Sequence, residues 1–176
     1  MSKKLIWIGV IIMASTFLTN CASPVDKAKF ENTRIEYKSD AHNILQIVKA
    51  YWNDKRQHAL PKSTIPVQTL SAEQLTTETE DAVFRLGHST ILLRIDQELI
   101  LFDPVFSERA FPVQWMGPKR FHQSPINIDQ LPAIKAVIIS HDHYDHLDKN
   151  AIKQLNGKVD TFVTPLKVGD HLRDWG

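Results

Sequence analysis

The feature that most constrains this chain is a run of six residues, His141-Asp142-His143-Tyr144-Asp145-His146, just downstream of the apolar stretch Ala136-Val137-Ile138-Ile139. Four apolar residues in a row, three of them β-branched, predict a strand buried on both faces. Three histidines and two aspartates at the end of such a strand predict a metal site. Imidazole nitrogen and carboxylate oxygen are the natural ligands of zinc, and imidazole also suits iron. His141 and His143 lie two apart, so in an extended or turning segment both side chains reach one side and clasp one ion. Asp145 and His146 are adjacent and present toward a second ion. Asp148 to Leu155 reads as a helix. Asp145 is expected at its start, where the positive end of the helix dipole favours a carboxylate. With eight histidines in 176 residues, three in six is not a chance arrangement. His58 and His122 stand alone in polar surroundings and read as solvated.

The flanking pattern predicts the scaffold. Ala82 to Leu86 is a short strand, broken at Gly87-His88-Ser89. Thr90 to Ile95 is a second strand, Asp96-Gln97-Glu98 a turn, and Leu99 to Phe102 a third strand ending at Asp103-Pro104. A long irregular segment follows, containing Pro112, Gly117, Pro118 and Pro125. Beyond residue 134 strands alternate with helices: strand 136–139, helix 148–155, strand 161–163, and a helix from Val168 to Trp175. That alternation predicts an α/β layered fold. Upstream, Ser39-Asp40 is placed to cap a helix over residues 41–57, with Ile44, Leu45, Ile47, Val48 and Tyr51 as its apolar stripe. Pro61, Pro66 and the Thr/Ser-rich stretch to Glu80 read as loop.

The N-terminus has a different character. Lys3-Lys4 precedes an apolar run from Leu5 to Leu18. A membrane span needs about 20 apolar residues, so the run reads as a secretory signal peptide over residues 1–20. Leu18-Thr19-Asn20-Cys21 resembles the lipobox of bacterial lipoproteins, with Asn20 where Gly, Ala or Ser is usual. Cys21 is the single cysteine, so no intramolecular disulfide can form, and lipidation gives the thiol a role. Residues 21–80 then form a tether with a helical extension. Ala22 after the Cys leans toward the outer membrane, on its periplasmic side. Lys and Arg number 21 against 20 Asp and Glu, for a formal net charge of +1. Nothing in that balance calls for a nucleic-acid partner.

His-x-His-x-Asp-His after an apolar strand is the signature of the metallo-β-lactamase superfamily. Leu86-Gly87-His88-Ser89-Thr90, Asp103-Pro104-Val105-Phe106-Ser107, Met116-Gly117-Pro118-Lys119-Arg120-Phe121, and Ile138 through Asp148 resemble, in that order, the N-acylphosphatidylethanolamine-hydrolysing phospholipase D branch and its bacterial relatives. The resemblance implies a four-layer αββα sandwich, of which residues 81–176 are the N-terminal half. It implies that His141 and His143 bind one Zn2+ and that Asp145 and His146 bind a second, with iron as the alternative metal. It further implies that Asp145 holds the attacking water, that Asp103 orients ligands from behind, and that His88 either lines the site or is a buried structural histidine. Hydrolysis of the phosphodiester of an N-acylated phospholipid follows. A lactone or a cyclic phosphodiester is the alternative substrate, and an inactive truncated lipoprotein the alternative to an enzyme. In the superfamily a third histidine, a bridging aspartate and a last histidine come from the second half. The missing half, on further chain or a partner chain, is therefore expected to complete the site.

Overall fold

The computed structural model describes residues 61–176, together with Leu45, Gln46, Lys49, Ala50 and Asn53. The expected signal peptide, Cys21, the tether that follows it and most of the expected 41–57 helix lie outside the described residues.

Alternating side chains build a meander of three antiparallel strands: β1 (Ala82–Gly87), β2 (Thr90–Ile95) and β3 (Glu98–Phe102). Phe84 sits opposite Leu92, and Leu92 opposite Leu101. The β2–β3 connection is the two residues Asp96 and Gln97, at φ 50° and 65°. Both are left-handed, as a tight hairpin that matches strand twist requires. The Asp81 carboxylate steadies this turn by accepting from the Asp96 N–H. β4 (Ile134–Ile138) then joins β3 in parallel, and β5 (Val159–Val163) joins β4 in parallel, giving the sheet order β1-β2-β3-β4-β5.

Three helices accompany the sheet: α1 (Ala72–Thr77), α2 (Lys149–Leu155) and α3 (Val168–Trp175). A 3-10 turn covers Ile128–Gln130. Leu75 of α1, Ile152 and Leu155 of α2 and Val168 of α3 join Leu92, Leu101, Ile134 and Val137 of the sheet in one apolar cluster. Leu92, Leu101 and Val137 are fully buried there. Each such side chain contributes on the order of 2 kcal/mol through its removal from water.

Three expectations are corrected. Residues 61–80 are not all loop, because α1 forms within them. Ser71 and Gln74 make reciprocal capping bonds, Ser71 Oγ accepting from Gln74 N–H and Gln74 Oε1 accepting from Ser71 N–H. The guanidinium of Arg94, 2% exposed, donates to Gln74 O and Glu80 O and pairs with Glu78, holding the segment against the sheet. Second, β4 is not buried on both faces. Val137 is buried, but Lys135 is exposed and Ala136 and Ile138 are half-buried. Third, Asp145 does not open α2. The Asp148 side chain accepts from Asn150 N–H and Ala151 N–H as the N-cap, so the helix begins at Lys149 and residues 144–146 form a turn before it.

Candidate metal centre

Strand ends assemble the cluster. β3 and β4 run in parallel, so Asp103 and Ser140 leave the sheet side by side. The Asp103 N–H donates to Ile138 O at 2.9 Å. Its φ of 41° is a conformation that costs a residue with a Cβ on the order of 1 kcal/mol, and it turns the carboxylate toward the histidines. One Asp103 oxygen accepts from Ser140 N–H at 2.7 Å. The other accepts from Ser140 Oγ at 2.7 Å and from His146 Nδ1 at 2.9 Å. A Ser140 hydroxyl that donates to Asp103 can only accept from His141 Nδ1, 2.9 Å away. Both rings therefore carry a proton on Nδ1 and turn Nε2 outward, the arrangement in which a histidine can ligate a cation through Nε2 with its other nitrogen held by a carboxylate or hydroxyl.

The turn that follows brings the remaining donors round. His146 N–H and Leu147 N–H both donate to His143 O, at 2.9 and 2.7 Å. His141 lies 4.6 Å from His143 and 4.0 Å from His146 between ring centroids. Two donor groups result, each with its ligand atoms within 4.8 Å of one another: His141, His143 and Asp145; and His88, Asp145 and His146. Asp145 belongs to both.

The Asp145 carboxylate is well supplied with partners. His88 Nε2 lies 3.0 Å from Oδ2 and His146 Nε2 3.6 Å from the same oxygen. Ser89 Oγ donates to the Asp145 carbonyl at 2.6 Å. Burial alone would raise the Asp145 pKa. The His88 hydrogen bond, the residue's own N–H and the charges of His146 and His88 together outweigh it and hold the carboxyl below its ordinary value. His88 is not a buried structural histidine. Its side chain is 66% exposed, on the β1–β2 turn, facing Asp145. His171 stands away from the cluster, stacked on Trp175 within α3.

Two residues of the network lie within the Ile138–Asp148 motif, but the sequence alone assigns them no role in it. Ser140 is a common residue at a strand end, and only its bonds to Asp103 and His141 give it a part. Asp148 is 7% exposed. Beyond capping α2, it accepts from Phe106 N–H, Ser107 N–H and Ser107 Oγ. It thereby ties the irregular segment after Asp103 to the helix that follows the histidines. The sequence places Asp148 at the first position of the expected helix, and the structure makes it the N-cap, one residue before α2.

Residues 98–176 match the family model described as "Beta-lactamase superfamily domain". Over 96 residues the chain is 51% identical to an uncharacterized protein of Mycobacterium tuberculosis, covering 54% of this chain and 26% of that protein. It is 35% identical over 117 residues to N-acyl-phosphatidylethanolamine-hydrolyzing phospholipase D 1 of Caenorhabditis elegans, covering 65% of this chain and 33% of the relative. It is 28% identical over 80 residues to a metal-dependent hydrolase of Metallosphaera sedula, covering 45% and 30%. The chain thus spans about a quarter to a third of the length of these relatives.

Proposed function

We propose that this chain, whose residues 98–176 match the beta-lactamase superfamily domain model, contributes the first ligands of a two-metal hydrolase that cleaves the phosphodiester of N-acylated phospholipids. One observation carries the reading: two sets of nitrogen and oxygen donors converge within 4.8 Å and share the Asp145 carboxylate. Imidazoles backed by a carboxylate network, next to a shared aspartate, are a donor set that fits Zn2+.

In this reading His141 and His143 hold the first ion and Asp145 and His146 the second, with the Asp145 carboxylate within reach of both. When bound, a pair of such cations lowers the pKa of water and offsets negative charge that builds up on a phosphoryl centre. The protein's own part is positioning. Asp103 and Ser140 fix the His146 and His141 rings with Nε2 outward. His88 holds the Asp145 carboxylate from the opposite side, and Asp145 can accept a proton from a water at the site. The relatives extend well beyond the matched residues, and this reading assigns the remaining ligands to a second half of the fold, on further chain or a partner chain. The 35% identity to the N-acyl-phosphatidylethanolamine-hydrolyzing phospholipase D 1 of Caenorhabditis elegans supports the substrate class, as does the order of the four motifs. A lipid anchor at Cys21, on the periplasmic side of the outer membrane, would bring the site to its substrate.

The test is hydrolysis by the protein as its gene encodes it, supplied with zinc. Release of phosphatidic acid from N-acylphosphatidylethanolamine, reduced about a hundredfold or more by Asp145→Ala, is expected. Cleavage of bis(p-nitrophenyl) phosphate or a lactone without cleavage of the lipid would keep the hydrolase and sink the substrate. Activity that survives Asp145→Ala undiminished would sink the assigned roles. For the anchor, incorporation of labelled palmitate that persists in Cys21→Ser would contradict lipidation there.

A further inference from the structure

A polar cleft of about 670 Å³ lies between the irregular segment, residues 106–129, and α2. None of the metal-centre donors lines it. Two buried side-chain polar atoms without a partner stand out among the described residues, Arg120 Nε and Ser124 Oγ. Both belong to residues that line this cleft. Buried donors without acceptors are unfavourable and rare in folded proteins, and both of these belong to residues of one cleft wall.

The charge distribution agrees. Arg120 is half-buried, and its Nη1 and Nη2 donate only to the neutral carbonyls of Phe106 and Val105, at 3.1 and 3.4 Å. No carboxylate among the described residues lies within ion-pair distance of it. Burial pushes its pKa down, while the Asp148 carboxylate acts the other way from a distance. That carboxylate is already committed to Phe106, Ser107, Asn150 and Ala151. The guanidinium is fixed in place. A Cβ at Gly87 would meet Arg120 Nη2 at 2.8 Å, so the absence of a side chain at Gly87 makes the seat. Lys153 of α2, exposed and without an ion pair among the described residues, lines the same cleft, against the single acid Asp129. A half-buried cation with no carboxylate within ion-pair distance, a second cation on the same cleft and an unpartnered hydroxyl are what an oxyanion requires.

We infer that this cleft is a second binding site, separate from the metal centre, for a phosphate-type oxyanion held by Arg120, Lys153 and Ser124. Asn127 and Asn150 on its walls offer amides to ester or hydroxyl oxygens beside the phosphate. The site does not depend on the hydrolase reading.

The experiment is calorimetric titration of the full chain, depleted of metal, with inorganic phosphate and with glycerol 3-phosphate, followed by sedimentation with phosphatidylcholine vesicles with and without phosphatidic acid. One phosphate per chain is expected. Affinity should fall about tenfold in Arg120→Gln, the loss of one charge-assisted hydrogen-bond donor set. It should fall roughly threefold in Lys153→Ala and be unchanged in His143→Ala. Tighter binding of glycerol 3-phosphate than of phosphate assigns a phosphoester. Phosphatidic-acid-dependent sedimentation that Lys153→Ala weakens assigns a lipid headgroup. Neither effect leaves free phosphate as the ligand. Arg120→Gln can unfold the segment, so Lys153→Ala and Ser124→Ala decide the matter. Parental affinity in both, loss of binding in His143→Ala, or no phosphate binding at all would overturn the site.

Discussion

The two faces of the sheet are built from the same kinds of side chain and differ in what covers them. On one face Leu92, Leu101 and Val137 are fully buried beneath the helices. On the other, Val83 is 72% exposed, Val163 49%, Ile95 41% and Ile91 37%. Cross-strand register puts Ile91, Phe102, Ile138 and Val163 in one row of that open face. The difference teaches that apolar composition reports a strand's capacity for burial and not its burial. The metal centre stands at the strand ends, where the rigid covered face holds Asp103, Ser140 and His146 and where one side of the cluster stays open.

Leu101→Ala, at the centre of the covered face, should lower unfolding free energy by about 2–5 kcal/mol in denaturant titration, without changing metal affinity per folded molecule. Asp148→Ala removes the α2 cap and the hold on Phe106 and Ser107 together. A loss of about 2–3 kcal/mol is expected, measured in the same way. Asp103→Ala frees the His146 and Ser140 side chains and should weaken zinc binding roughly 10- to 100-fold while the sheet's circular dichroism persists. Unaltered affinity would show that the histidines orient themselves. Ile91→Thr, on the open face, should cost less than about 1 kcal/mol. A cost equal to that of Leu101→Ala would mean that the face is covered in solution.

The smallest effect is on pH dependence. In metal-depleted protein the Asp145 carboxyl is held below its ordinary value of 3.8. A carboxyl depressed in the folded state adds stability that is present above that value and is lost as pH falls through the lower, folded one. Stability should therefore decline more steeply below that pH in the parent than in Asp145→Asn. The side chain is 40% exposed, so solvent screening keeps the difference small. Equal slopes would remove the His88 bond from the picture.

Periodicity foretells the meander. Val83-Phe84-Arg85, Ile91 to Ile95 and Leu99 to Phe102 alternate their exposure, and the Asp96-Gln97 turn breaks the pattern where the chain reverses. The histidine cluster is equally plain, because its residue types are few and close together. What stays hidden has a common physical cause: it depends on partners far away in the chain. Arg94 looks like a solvent-facing strand residue until α1 supplies Gln74 and Glu78 to receive it. Ser140 matters only because Asp103, 37 residues earlier, reaches it. The Ser71-to-Gln74 spacing is a visible capping signal, but a six-residue helix in a Thr-rich stretch has too little periodicity to stand out. The start of α2 at Lys149 turns on which of two aspartates, Asp145 or Asp148, takes the cap. His88 occupies Asp145 on the far side of the turn and leaves the helix to Asp148.

The shared carboxylate is the central claim, and zinc titration of the metal-depleted chain with a competing chelator tests it most directly, comparing the parent with Asp145→Ala and His143→Ala. If Asp145 serves both donor groups, Asp145→Ala weakens every bound zinc at once, by about tenfold or more, whereas His143→Ala weakens only one class of site. Parental zinc affinity in Asp145→Ala would contradict it.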